Sequence, residues 1–174
     1  MSATPDYELD DELEAAQSET RAAFETRALM YAYMYEEFAD EVGPERATEL
    51  MKRAIHRRGL EVGRKYRPAA HAGDLAEVGR IFCETSPCGG ELFEPGIEEQ
   101  DDERIVLRMT SCPLLDAWRS AGLDVDEIER LCEIAAAVDE GTFEGAGLQL
   151  TFLDRLGIAG SQHCLLELRL PEDR

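Results

Sequence analysis

Lysine is almost missing from this sequence. Lys52 and Lys65 are the only two in 174 residues, and arginine supplies the rest of the 18 basic side chains. Against 38 acidic residues they leave a formal net charge of -20, which argues against nucleic acid or an anionic membrane as a partner. Long apolar runs are missing too: none approaches the roughly 20 residues needed to cross a bilayer. The segment from Met1 to Asp11 is acidic and has no basic stretch leading into an apolar one, so no secretory leader is expected and the cytoplasm is the expected location. A Rossmann glycine fingerprint, a P-loop, HExxH and GxSxG are all absent, which leaves dinucleotide, nucleoside-triphosphate and serine-hydrolase chemistry without support.

What is present fits one soluble domain. Hydrophobic residues make up 44% and charged ones 32%, and a chain of this length buries roughly two-thirds of the surface its unfolded form exposes. Residues 1–12 read as a flexible acidic lead-in, and residues 13–174 as a single domain. Apolar periodicity predicts a helix from about Glu14 to Val42, with Phe24, Leu29, Met30, Tyr33, Met34 and Phe38 on its stripe. Gly43-Pro44 starts a second helix running to about Tyr66 and stopping before Pro68. A third begins at Asp74, a good N-cap.

The texture then changes. Glu91 to Phe93 is the expected start of a strand, 98–103 an acidic hairpin tip, and Arg104 to Cys112 a strand with Ile105, Leu107 and Met109 alternating. Two helices follow, Pro113 to Gly122 and Val125 to Glu140. Gly141, Gly145 and Gly147 are expected to loosen the chain before two last strands, about Leu148 to Asp154 and His163 to Leu170. The fold class is therefore α+β: N-terminal helices packed on a small antiparallel sheet with two inserted helices.

The five cysteines are Cys83, Cys88, Cys112, Cys132 and Cys164. An odd set in a reducing compartment points to metal binding, catalysis or plain packing before disulfides. Cys112 precedes Pro113 at the start of a helix, where backbone N–H groups and the helix dipole lower a thiol pKa. Cys132 and Asp139 lie two helical turns apart and so share a face, the inward one, where a carboxylate needs a cation, a metal or hydrogen-bond donors. Cys164 opens the last strand in phase with Leu166, Leu168 and Leu170. Three thiolates and a carboxylate would suit a tetrahedral zinc ion; buried free cysteines are equally at home as small hydrophobes.

Cys83 and Cys88 form a second candidate pair, and His71, in a loop, and His163 are expected to be solvated. The second helix carries the one basic cluster, Arg57 and Arg58 included. Arg58 falls on or beside the apolar stripe of Met51, Ala54, Ile55 and Val62. It is read as a substrate anchor, a buried salt bridge or a snorkelling side chain.

With those residues in view, the chain resembles the L-2-amino-thiazoline-4-carboxylic acid hydrolase family. The resemblance spans about residues 25–170 and rests on Ala54-Ile55-His56-Arg57-Arg58-Gly59, on Thr110-Ser111-Cys112-Pro113, on Cys132 with Asp139 downstream, and on Gly160-Ser161-Gln162-His163-Cys164. The chain departs from the family pattern at Ser161 and Leu165, where an aspartate is common, and in its wider Cys132–Asp139 spacing.

The resemblance implies hydrolytic opening of a thiazoline ring. Water adds to the amidine-like carbon between nitrogen and sulfur, giving N-carbamoyl-cysteine. Two routes fit. A thiolate-held metal lowers the pKa of water, or Cys112 attacks first with Asp139 moving the proton; Arg58, beside Arg57, holds the substrate carboxylate. The expected enzyme is a hydrolase acting on carbon–nitrogen bonds in cyclic amidines, its partner a small-molecule substrate. The alternative is a non-catalytic small-molecule or metal-binding, sensing module. A homodimer through the apolar stretch at Met30–Tyr35 is a further expectation.

Overall fold

A computed structural model describes residues 6–171, with side chains described from Asp10 onward. The elements in chain order are α1 (Asp6–Val42), α2 (Pro44–Val62), α3 (Arg67–Ala72), α4 (Leu75–Glu84), β1 (Pro95–Gln100), β2 (Arg104–Met109), α5 (Pro113–Ser120), α6 (Val125–Ala146), β3 (Gln149–Asp154) and β4 (Cys164–Arg169). The fold is α+β as expected.

Several boundaries differ from the sequence reading for identifiable reasons. The first helix starts at Asp6, ahead of the expected Glu14; residues 1–5 lie outside the described residues. The second helix gives way at Gly63 to a 3-10 turn, Gly63–Lys65. Pro68 does not stop the chain but sits in the first turn of α3, where its missing N–H costs nothing. His71 is therefore on α3, not in a loop. Glu91 to Phe93 form a turn, with Glu94 at φ 46 turning the chain into β1. The acidic hairpin tip narrows to Asp101–Glu103, where the Asp101 carboxylate accepts the N–H groups of Glu103 and Arg104 at 2.8 and 2.9 Å.

The largest difference is α6. Gly141 and Gly145 do not loosen the chain; both lie inside the helix, which ends only at Gly147, in the left-handed conformation. They are there because α6 crosses α2 backbone to backbone. A Cβ on Gly141 would stand 2.1 Å from the His56 carbonyl oxygen, and one on Gly145 2.7 Å from that of Leu60. The partner helix matches them. A Cβ on Gly59 would meet the Val138 carbonyl at 2.3 Å, and one on Gly63 the Thr142 carbonyl at 2.2 Å. Two glycines four residues apart on each chain segment thus interlock, and no larger residue fits.

The sheet is antiparallel in the order β1-β2-β4-β3. Ile105 pairs with Leu168 and Leu107 with Leu166, and all four side chains are fully buried. This inner face packs with Val78 of α4 and Phe143 of α6. A second core joins Met51 and Ile55 of α2 to Trp118 of α5 and Leu131 and Ile134 of α6. The Trp118 indole N–H ties α5 to α1 by donating to the Ala28 carbonyl at 2.8 Å. Cys164 touches both cores, and the cavity described next opens where they meet.

Candidate active site

The cavity has a volume of about 270 Å³ and lies between α6, the inner edge of the sheet and the ends of α2 and α5. Its wall is mostly apolar, with Phe82, Phe93, Phe152 and Trp118 among the lining side chains. Cys112, Cys132, Cys164 and Asp139 all reach it. The sequence spacing therefore located the grouping: two turns of α6 bring Cys132 and Asp139 to one wall, and β4 supplies Cys164 from the sheet. Met109 lies opposite Cys164 in the ladder, so the chain leaving β2 delivers Cys112 to the same place.

The thiols do not behave as the helix-start argument anticipates. Cys112 does stand at the N-cap of α5 without closing a capping hydrogen bond. The N–H groups of Leu115 and Leu114 favour its thiolate, yet burial outweighs them and pushes the pKa up to about 11. Burial raises Cys164 to about 12, against the N–H of Leu156, which donates to its sulfur at 3.3 Å. Cys132 is raised by burial, opposed by the Gly157 N–H and by the positive charge of Arg155. The Cys132 sulfur acts electrostatically on both Cys112 and Cys164. The three are close neighbours held as thiols.

Among the described residues, no group of three or more His, Cys, Asp or Glu side chains is arranged to hold a metal ion. The three thiols and Asp139 share the cavity wall without forming such a group. All five cysteines are free, Cys83 and Cys88 included.

Asp139 is the unusual group. Burial, then the neighbouring Glu140, raises its carboxyl to about 7. It has no hydrogen-bond or ion-pair partner among the described residues, and its oxygens stay open to the cavity. Its charge is felt by Cys132, Cys164 and Tyr66. A lone carboxyl with a pKa near neutrality, in a small apolar cavity, is able to take up or give a proton near neutral pH.

The arginines are not where the helical stripe put them. Arg58 is 67% exposed and pairs with Glu61 at 2.9 Å, because the buried stripe of α2 runs through Ala47, Met51, Ile55 and Gly59 instead. It is nonetheless among the residues that line the cavity. Arg57 is exposed and does not line the cavity. Sequence reasoning passed over Arg155, Tyr66 and Lys65, which do line it. Burial pushes Tyr66 up to about 12, and Lys65 donates to the Thr85 hydroxyl at 2.6 Å. The available signal for Arg155 was its place immediately after a strand and two residues before a glycine. His163 is half-buried and 3.4 Å from Asp154, not free in solvent.

The family model for L-2-amino-thiazoline-4-carboxylic acid hydrolase matches residues 21–167. The chain belongs to that family. The matched span runs from the middle of α1 into the last strand and takes in all four cavity residues singled out above. No curated protein matches the sequence. The family's name is that of a hydrolase, and no helix among the described residues is long and apolar enough to cross a membrane.

Proposed function

We propose that this member of the aminothiazoline-carboxylate hydrolase family opens a small cyclic C–N substrate, such as a 2-amino-thiazoline carboxylate, at a cysteine-centred site with Asp139 as general base. The observation that carries this is the unpartnered Asp139 carboxyl sharing a cavity with three thiols. Half-ionised near neutral pH, Asp139 takes a proton from water as the water oxygen bonds to the amidine carbon. Asp139 passes that proton to the ring nitrogen as the C=N bond becomes single. Asp139 then takes the remaining hydroxyl proton as the carbonyl forms, the carbon–sulfur bond breaks with its electron pair on sulfur, and Asp139 delivers the proton there. One water is consumed and the product is a carbamoylated cysteine.

The apolar wall strengthens these charge interactions by excluding bulk water. The protonated thiols of Cys112, Cys132 and Cys164 offer weak S–H donors to the polarised ring.

The Leu114 and Leu115 N–H groups beside Cys112 favour a second route. In it Asp139 deprotonates the thiol, the Cys112 sulfur bonds to the same carbon as the ring carbon–sulfur bond breaks and the ring sulfur takes the proton, and water then displaces Cys112, which regains a proton.

Cys112→Ser separates the two. Loss of turnover by orders of magnitude with an unchanged melting temperature supports the nucleophile, and a loss of less than tenfold supports direct water attack. Recovery of the bound ring unchanged from the parent protein overturns the hydrolase reading in favour of a binding module. The same reading places the protein in a reducing cytoplasm, where its five thiols persist. It also pairs two copies through the exposed α1 stripe of Met30, Tyr33, Met34, Phe38 and Val42; light scattering that returns a monomer at micromolar concentration sinks the dimer.

A further inference from the structure

We infer that Arg155 is the anion-binding residue of the cavity, held in place by two of the cysteines, and that it selects ring substrates carrying a carboxylate. This rests on the hydrolase reading for the identity of the ring, not for the existence of the subsite.

The cations around the cavity differ in what occupies them. Arg58 is committed to Glu61 at 2.9 Å and is mostly exposed. Lys65 is exposed and donates to Thr85. Arg27 is exposed and lies 4.1 Å over the Phe24 ring. Arg155 is half-buried, and its guanidinium has no ion pair among the described residues; it lies 6.0 Å from the Phe152 ring centroid. In a chain with 38 acids to 18 bases, an arginine that forms no such ion pair, although Glu133, Glu140 and Asp154 line a neighbouring cavity with it, is open to another anion. Its sequence neighbour Asp154 is engaged elsewhere, accepting the Arg155 backbone N–H at 2.7 Å and facing His163 at 3.4 Å.

The backbone holds it there. The β3–β4 register shifts between Phe152 and Asp154, the last paired residue of the strand, and such irregularities beside sites re-aim the chain that follows. The Arg155 carbonyl accepts the Ile158 N–H at 3.0 Å, closing a turn. Within that turn the Leu156 N–H donates to the Cys164 sulfur, and the Gly157 N–H faces that of Cys132. Gly157 has to be glycine, since a Cβ would stand 2.3 Å from that of Cys132. Cys132 and Cys164 are therefore positioning residues that seat the turn carrying Arg155.

Arg155 and Asp139 both act on Cys132, with opposite sign, and do not pair with each other. A carboxylate forked by Arg155 leaves its ring over Cys132, on the side of Asp139.

The test uses two aromatic rings that resist water addition and differ only in the carboxylate: 2-aminothiazole-4-carboxylate and 2-aminothiazole. Calorimetry on the full chain is expected to show at least tenfold tighter binding of the carboxylate. Arg155→Met should remove that preference while binding 2-aminothiazole within twofold of the parent, which also shows that the cavity is intact; Arg155→Lys should retain part of it. Parent protein without the preference, or Arg155→Met that keeps it, overturns the assignment. Should Arg155→Met lose both rings, the Lys variant decides: a retained preference supports the anchor and an equal loss of both overturns it. Anion selection by a protein that leaves the thiazoline carboxylate unhydrolysed would overturn the hydrolase reading and leave Arg155 standing.

Discussion

Asp139 couples the chemistry of the site to the stability of the fold. Its carboxyl titrates near 7 in the folded chain, against 3.8 ordinarily, so the native state holds the proton more tightly than the unfolded one. The stability linked to that proton is complete below about pH 4 and is lost as the pH rises through about 7. Asp139→Asn is accordingly expected to match the parent in acid and to exceed it above pH 7 by up to about 4 kcal/mol; paired urea melts at the two pH values check this. Activity should move the other way. The parent rate should rise with pH through a midpoint near 7, and the Asn variant should lose roughly 10²–10⁴-fold with no such midpoint. The thiols carry a separate expectation. Cys112 and Cys164, raised to about 11 and about 12, should alkylate slowly at pH 7 and faster with each step in alkalinity, as mass spectrometry of the labelled peptides would reveal.

At the scale of elements, the α2–α6 crossing makes a prediction that opposes helix propensity. Gly→Ala inside a helix gains about 1 kcal/mol when only propensity counts. At Gly141 the new methyl would sit 2.1 Å from a carbonyl oxygen of the other helix, and forced overpacking costs about 1–3 kcal/mol or more. Gly141→Ala should therefore lower the denaturation midpoint, and a rise in that midpoint would show the helices further apart than described. The consequence reaches the site, because α6 carries Cys132 and Asp139 and its depth against α2 sets their position. Sequence periodicity located α6 and its inward face correctly through Cys132 and Asp139. It missed the last turns because glycine in a sequence signals flexibility as readily as close approach. Arg58 is exposed for a related reason: a stripe drawn through Ala54 and Val62 is rotated from the one that Gly59 buries.

Across the whole molecule, the excess of acid is spread over a surface with two lysines. Self-repulsion of that kind opposes the compact state, and the screening length shortens from about 10 Å at 0.1 M salt to about 3 Å at 1 M. The melting temperature should climb by several degrees over that interval; a flat or falling response would mean that ion pairs such as Arg104–Glu167 outweigh the repulsion. Composition and periodicity were enough to determine an α+β domain, its charge character, the order of its elements and the four residues that would meet, since these follow from local spacing and from family-specific short motifs. Three matters were decided only by the tertiary structure. One was the protonation of the thiols, because burial competes with the helix start and only packing sets its depth. Another was the freedom of the Asp139 carboxyl, because partners come from elements remote in sequence. The last was the half-burial of Arg155 at the cavity wall while Arg58 stays exposed and paired with Glu61, because a turn seated on two sulfurs by backbone N–H groups leaves no pattern in the order of side chains.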